Sequence, residues 1–456
     1  MIRWLSVCLL FFLCLSACKP SDQAKPPDKD LSQAATASAF TTEQLMDPET
    51  CKTCHPNHYR EWSGSMHAYA AKDPVFQAMN RLGQDATHGE LGDFCVRCHL
   101  PLALRLGLTG DGLNLAEIPE KYQGVTCFFC HSVDKVADTH DNGLHLAADG
   151  VLRAGIADPV RSGAHQSAWS KLHAHNAVES AAMCGSCHDI INSKGAALER
   201  TYQEWQHSKY ALPTAEGGRT CGSCHMEERS GPASNQAGSP IRSVHSHSWP
   251  GVDVALEEFP EKKEQREQVQ RLVDSSVDSG LCVSSNGKTI KLDVSLKNSA
   301  AGHAIPTGAS QDRRLWVEIV AKRAGKIVFH NGKTADDRHT WLFRDILFDK
   351  SAVETHRFWD AIRIAPRVLP FPVRGQDSTQ VAHLFRYSDR RVPDEVSVTL
   401  HMQPIGRDVL DELVKLGYLE AEDRDQIPVF TLNAATLKWR ASDKQACIGI
   451  AAPQRQ

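Results

Sequence analysis

The stretch Cys51-Lys52-Thr53-Cys54-His55 decides the fold, because the frame Cys-x-x-Cys-His returns four more times before residue 226. The later copies are Cys95-Val96-Arg97-Cys98-His99, Cys127-Phe128-Phe129-Cys130-His131, Cys184-Gly185-Ser186-Cys187-His188 and Cys221-Gly222-Ser223-Cys224-His225. Random placement of 15 Cys and 22 His in a chain of 456 residues would produce about 0.02 such frames. The five frames therefore reflect one shared chemical requirement.

Cys-x-x-Cys-His is the signature of covalent c-type haem attachment. Two thiols reach two vinyl groups on one porphyrin edge, and the imidazole that follows binds the iron from one face. Zinc sites need no His after each Cys pair, and thioredoxin-like dithiols come singly in a βαβ setting. The sequence therefore predicts five haems, bound by the ten motif cysteines, with the proximal iron ligands His55, His99, His131, His188 and His225.

Composition excludes several classes of protein. Hydrophobic residues make up 41% and charged residues 23% of the chain, which excludes collagen-like, wholly disordered and multi-span membrane proteins. A formal net charge of -4 gives no reason to expect a nucleic-acid partner. The length fits two or three domains and is too great for a small disulfide scaffold.

The N-terminus has the pattern of a secretory leader, which we place at residues 1–17. Its apolar run of about 14 residues is shorter than the roughly 20 that a membrane-spanning helix needs. Leu15-Ser16-Ala17-Cys18 resembles the lipobox of bacterial lipoproteins, which implies lipidation of Cys18; ordinary leader cleavage nearby is the alternative. Lys19 favours an outer-membrane anchor, facing the periplasm or the cell surface. Residues 18–42 are polar and predict a flexible tether.

A second repeat links the haem motifs. Tyr59-Arg60-Glu61-Trp62-Ser63-Gly64-Ser65-Met66-His67-Ala68 follows the first motif, and Tyr202-Gln203-Glu204-Trp205-Gln206-His207-Ser208-Lys209-Tyr210-Ala211 follows the fourth. Tyr, Glu, Trp, Ser and Ala align between the copies, and each copy lies between two haem motifs. The unit therefore has the form of a duplicated two-haem module.

A haem motif followed by Trp-x-x-Ser-x-His and a further motif resembles the multihaem cytochromes of the cytochrome c-554 and hydroxylamine-oxidoreductase group. The resemblance covers roughly residues 48–250. It implies that His67 is a distal haem ligand. Tyr210 takes the same place in the second copy, where either a structural or a haem-pocket role is open.

We predict a pentahaem domain over residues 43–255, mostly helical and rich in loops, in which the porphyrins supply much of the core. After His67, the strongest distal candidates in this region are His247, just past the last motif, and His165, upstream of the fourth. Weaker candidates are His140, His145, His173, His175 and His245.

The C-terminal part has a different pattern. Residues 256–275 are charged and predict a linker or a solvated helix. Apolar residues then alternate with polar ones, as in Ile290-Lys291-Leu292-Asp293-Val294 and again over residues 396–402. Period-two alternation in short runs predicts an antiparallel β-sandwich-like domain, which we place at residues 276–450. The fold class expected for the whole chain is α+β multidomain.

Two features of this domain carry further expectations. Cys282 and Cys447 bracket it, and a disulfide between them is expected in an oxidising compartment, with two buried free thiols as the alternative. The loop Gly302-His303-Ala304-Ile305-Pro306-Thr307-Gly308 resembles an element found in β-domains appended to multihaem cytochromes. We expect His303 to reach back as a distal ligand or another haem-pocket group; a structural loop at a domain interface is the alternative.

The sequence favours an electron carrier that exchanges electrons with redox partner proteins and is attached to the membrane through Cys18. The resembled group also contains enzymes. The alternative is therefore an oxidoreductase that acts on a small nitrogen, sulfur or peroxide substrate at a five-coordinate haem.

Overall fold

A computed structural model describes residues 39–375 and 380–450, which belong to one compact unit. The expected leader and the lipidation site at Cys18 lie outside the described residues. Within the described ranges, no helix combines the length and the hydropathy needed to cross a bilayer.

The haem-motif region consists of short helices and small β-ribbons joined by loops. The helices are α1 Thr42–Leu45, α2 Pro48–Lys52, α3 Pro56–Ser63, α4 Met66–Tyr69, α5 Pro74–Ala86, α6 Val96–His99, α7 Pro101–Arg105, α8 Cys127–His131, α9 Ser180–His188, α10 Thr201–His207 and α11 Cys221–His225. The strands are β1 Val133–Val136, β2 Leu144–Leu146, β3 Val151–Ala154, β4 Gln166–Trp169, β5 Asp189–Ile191, β6 Ala197–Arg200, β7 Glu228–Pro232 and β8 Ile241–His245. They pair in sequence order as two-stranded ribbons, of which β3–β4 is parallel.

The C-terminal region is built from two sheets, with helices α12 Lys262–Asp274, α13 Arg407–Lys415 and α14 Ala421–Gln426. Its strands are β9 Val277–Ser285, β10 Thr289–Asn298, β11 Arg314–Arg323, β12 Lys326–Asn331, β13 Trp341–Phe348, β14 Glu354–Thr355, β15 Arg363–Arg367, β16 Gln380–Ser388, β17 Glu395–Gln403, β18 Phe430–Thr431, β19 Leu437–Arg440 and β20 Cys447–Gly449. One sheet has the order β16-β10-β9-β20, and the other has β14-β13-β11-β17-β18 with β12, β15 and β19 on its flanks. All their pairings are antiparallel, so the predicted fold class is confirmed.

The alternation in the sequence sets which side chains enter the core between the sheets. Leu292 and Val294 of β10 and Val398 of β17 are fully buried in one apolar cluster. Strand β20 lies beside β9, and Cys282 and Cys447 form a disulfide across this pair.

The charged segment before the sandwich is a helix with one buried face. Val269 of α12 is fully buried and joins the sandwich core, although most of its neighbours in sequence are charged. A second apolar cluster joins the haem-motif region to the C-terminal region: Val75 of α5 packs with Trp359 and with Leu410 of α13. The two regions therefore share a core.

Candidate functional site

Threonine side chains start two of the motif helices. Thr126 accepts a hydrogen bond from the Phe129 amide (3.4 Å) and caps α8. Thr220 accepts one from the Ser223 amide (3.1 Å) and caps α11. One helical turn then brings two cysteines three apart onto one side, with the histidine next along the chain. This is the arrangement that attachment to one porphyrin edge requires.

Four motif imidazoles face a second imidazole at almost the same separation of ring centres. The pairs are His55–His165 at 6.3 Å, His188–His67 at 6.4 Å, His131–His247 at 6.3 Å and His225–His303 at 6.3 Å. An iron about 2 Å from each ligating nitrogen, with each nitrogen about 1.1 Å from its ring centre, would separate the centres by about 6.2 Å. The spacing fits one iron between each pair, and the second histidines are the four distal candidates of the sequence.

Hydrogen bonds to backbone carbonyls set the tautomer of most of these rings. A carbonyl can only accept, so a ring Nδ1 beside one must carry the proton, and Nε2 is left free to bind metal. The acceptors are the carbonyls of Ala233 for His55 (2.7 Å), Ala70 for His99 (2.9 Å), Arg153 for His131 (2.5 Å), Pro250 for His225 (2.8 Å), Gln166 for His165 (3.2 Å), His245 for His247 (2.9 Å) and Ala304 for His303 (2.9 Å).

Burial also favours the neutral form of several of these rings. It lowers the pKa of His67 to about 3 and the pKa of His188 to about 4. Burial likewise lowers the pKa of His303 to about 4. Only a neutral imidazole has a lone pair for a metal, so these surroundings favour ligation.

His131 has two imidazole neighbours, and their distances distinguish them. The ring centre of His173 lies 5.7 Å away, and its Nε2 donates to the Cys130 carbonyl at 2.8 Å. His247 lies 6.3 Å away, donates through Nδ1 and presents Nε2. Because 6.3 Å is nearer the separation that two iron–nitrogen bonds require, His247 fits better as the second ligand.

The second motif differs from the others. Among the described residues, the ring stacked on His99 belongs to Phe76, at 4.0 Å and 8° between planes, and no imidazole lies at the spacing of the four pairs. The Nδ1 of His99 still donates to the Ala70 carbonyl. The His99 imidazole is therefore oriented for iron binding as in the other motifs, but among the described residues no second histidine lies at the distance of an axial partner.

The weaker histidine candidates are not arranged as ligand pairs. His175 and His245 stack at 3.8 Å between ring centres, which is too close for an iron between them. His140 contacts Asp141 at 3.0 Å, and His145 contacts Asp134 at 2.6 Å. The ring of Tyr210, whose role the sequence left open, packs in an apolar cluster with Trp205.

The motif thiols fit attachment to a group outside the chain. None of the ten is in a disulfide, whereas Cys282 and Cys447 are joined. Several lie close together: a hydrogen bond between the Cys51 and Cys127 thiols lowers the pKa of the first and raises that of the second. A hydrogen bond from the Cys187 thiol to Cys98 likewise raises the pKa of Cys187. The first motif therefore adjoins the third, and the second adjoins the fourth.

The second repeat has the same local structure in both copies. The indole of Trp62 donates to the Val125 carbonyl, and the indole of Trp205 donates to the Arg219 carbonyl, both at 2.8 Å. Each acceptor directly precedes the threonine that caps the next motif helix, so the repeated Trp fixes where that helix starts.

The repeated glutamates, Glu61 and Glu204, are both buried, and no role for them was predicted from the sequence. In the sequence, these two glutamates stood out only because they align between the two copies of the repeat. Glu204 holds the loop that carries His303, since its carboxylate accepts from the Ala304 amide at 3.0 Å and from the Thr307 hydroxyl at 2.9 Å.

Comparisons with known proteins found one matching family model and one similar solved structure. A family model described as cytochrome c554 and c-prime matches residues 50–132. Among solved structures, the crystal structure of a penta-heme cytochrome c552 from Thermochromatium tepidum is similar, with a TM-score of 0.60 and 18% identity over 86% of this chain and 98% of that chain. No curated protein matches the chain. The likeness between the two structures shows a shared fold.

Proposed function

We propose that this chain is a multihaem c-type cytochrome that binds five haems and carries electrons in the bacterial envelope. The family match over residues 50–132 and the fold shared with a penta-heme cytochrome support this proposal. When bound, haem supplies one-electron chemistry. The chain's part is to attach each haem through two cysteines, to hold its axial imidazoles neutral and correctly turned, and to keep water away.

The observation that carries the proposal is the set of four imidazole pairs at 6.3 to 6.4 Å. We assign His55 with His165, His188 with His67, His131 with His247 and His225 with His303 as axial pairs. His99 is the proximal ligand of the remaining haem.

Contacts between motifs support a continuous path through the sites. The first motif adjoins the third through Cys51 and Cys127. The charge of Cys184 reaches Cys130 and raises its pKa further beyond the effect of burial, which places the fourth motif beside the third. A hydrogen bond between the thiols of Cys184 in the fourth motif and Cys221 in the fifth lowers the pKa of Cys184 and raises that of Cys221. The second motif joins at the fourth. This branched order has three ends, the first, second and fifth sites, at which redox partner proteins would exchange electrons.

Mass spectrometry and electron paramagnetic resonance (EPR) test the haem assignment together. The holoprotein should carry the mass of five haems. Its ferric form should show four low-spin haems, and their number should fall by one in each of the variants His165→Ala, His67→Ala, His247→Ala and His303→Ala. Fewer haems, or a low-spin count unchanged by these substitutions, would refute the assignment.

We also propose that the protein is located outside the cytoplasm, which the lipobox-like sequence ending at Cys18 supports. We propose lipidation of Cys18 and an outer-membrane anchor, with the haem-binding unit in the periplasm or at the cell surface. A Cys18→Ser variant should move from the membrane fraction to the soluble fraction after export. Retention in the membrane fraction would contradict the anchor.

One observation favours a second activity at the His99 haem. His99 lacks a second imidazole among the described residues, so we propose that this haem is five-coordinate and binds small nitrogen, sulfur or peroxide species. Carbon monoxide should bind one haem of the reduced protein, and nitrite should perturb the high-spin signal of the oxidised protein. If no haem responds to either ligand, the chain is an electron carrier alone.

A further inference from the structure

The two copies of the Tyr-x-Glu-Trp repeat carry a glutamate at the same place, Glu61 and Glu204, and the electron-transfer role alone assigns neither a task. Both are buried, with exposed fractions of 8% and 9%. A buried carboxylate is costly unless its oxygens are satisfied, so its partners show what it is for.

In each copy, one carboxylate oxygen accepts from the backbone of a segment that carries a distal histidine. The Oε2 of Glu61 accepts from the amide of His247 at 3.0 Å. The Oε2 of Glu204 accepts from the amide of Ala304, next to His303, at 3.0 Å. These segments are far from the repeats in sequence and belong to unrelated elements, one after β8 and one between β10 and β11.

The other carboxylate oxygen faces an arginine in both copies. Arg229 donates to Oε1 of Glu61, and Arg200 lies 3.8 Å from Oε1 of Glu204. Arg229 holds the Glu61 carboxylate in one orientation and leaves Oε2 for the ligand segment. Arg200 donates to Asp345 at 2.7 Å and is only an electrostatic neighbour of Glu204. The two copies therefore share the contact to the ligand segment and the sign of the neighbouring charge, although the segments that are held differ.

The backbone that is held also orients the imidazole. Ala304 gives its amide to Glu204 and its carbonyl to the Nδ1 of His303. His247 gives its own amide to Glu61 while its Nδ1 donates to the His245 carbonyl. Fixing this short segment therefore fixes the direction in which Nε2 points.

We infer that Glu61 and Glu204 are positioning residues that present His247 and His303 to the haems of the third and fifth motifs. The inference rests on the ligand pairs proposed above. Each repeat unit thus determines the axial ligation of a haem for which it supplies neither the cysteines nor the imidazole.

The spin state of the ferric holoprotein tests this role. Glu204→Ala should add one high-spin haem to the wild-type count, and Glu61→Ala should add one independently. Glu204→Gln keeps an oxygen acceptor and should retain most of the low-spin signal. The control is Glu318→Gln, because that carboxylate is engaged by His330 and His401 within the β-sheet and should leave the spectrum unchanged.

Two further measurements separate positioning from loss of structure. The double variant His303→Ala with Glu204→Ala should have no more high-spin haem than His303→Ala alone, since both remove the same ligand. Added imidazole should restore the low-spin signal of Glu204→Ala, because the displaced histidine leaves an open position.

Several results would overturn the inference: an unchanged spin count in Glu204→Ala, more high-spin haem in the double variant than in His303→Ala alone, a Gln variant as high-spin as the Ala variant, or an added high-spin signal that imidazole does not reverse. If His303→Ala itself leaves the spin count unchanged, the ligand assignment fails instead. The two failures are therefore distinguishable.

Discussion

The imidazole pair at the third motif gives the sharpest test of the proposed ligand set, because His131 has a competing neighbour. Replacing His247 with Ala should convert one haem of the five from low-spin to high-spin, which is about a fifth of the haem iron. Replacing His173 with Ala should convert none, although the His173 ring is nearer, at 5.7 Å against 6.3 Å for His247.

The magnitudes behind this expectation come from the ring positions. With each nitrogen about 1.1 Å from its ring centre, a separation of 5.7 Å would leave about 1.75 Å for each iron–nitrogen bond, which is shorter than the roughly 2 Å that imidazole ligands take. The Nε2 of His173 is also committed to the Cys130 carbonyl at 2.8 Å.

The assay is EPR integration of the ferric protein, with the haem count from mass spectrometry as the control for loading. A high-spin haem in His173→Ala together with an unchanged spectrum in His247→Ala would refute the argument from spacing and tautomer.

Three other predictions concern stability. Replacing Cys282 and Cys447 with Ser should lower the free energy of unfolding by about 2–4 kcal/mol in denaturant titration, because a long closed loop is released; an unchanged midpoint would contradict this. Trp359→Ala should cost about 3–5 kcal/mol, because it opens the core shared by the two regions, and Trp359→Phe should cost less. Burial raises the pKa of Glu199 from 4.5 to about 7, so the folded state holds a proton that the unfolded chain has lost between these values. Stability should therefore fall as the pH rises through this window, and thermal melts of Glu199→Gln should lose that part of the dependence.

The sequence predicted the features that depend on local pattern. Alternation over residues 290–296 follows from the strand period of two, and it correctly identified Leu292 as a core residue. The haem-attachment motifs could also be recognised from the sequence, because their chemistry fixes the spacing of Cys and His. The sequence also named the four histidines that lie opposite motif imidazoles, without saying which motif each one faces.

The pairings could not be predicted, because they depend on contacts between distant segments. Nothing in the sequence says that His67, after the first motif, lies opposite His188 of the fourth. The charged segment before the sandwich was similarly ambiguous: its few apolar residues include Val269 and Val273, whose burial depends on a sheet that forms later in the chain.

The duplicated unit explains why the two regions form one body. In the first copy the repeat supplies a histidine of its own, His67, opposite the fourth motif. In the second copy Tyr210 takes that place and packs among apolar neighbours. On the proposed ligand set, the fifth haem must then obtain its distal imidazole from elsewhere, and His303 of the β-domain is the side chain that lies opposite His225. The β-domain therefore completes a haem site that the duplicated region cannot complete by itself. The loop that carries His303 is held by Glu204 of the second repeat, so the contact between the two regions also fixes this ligand.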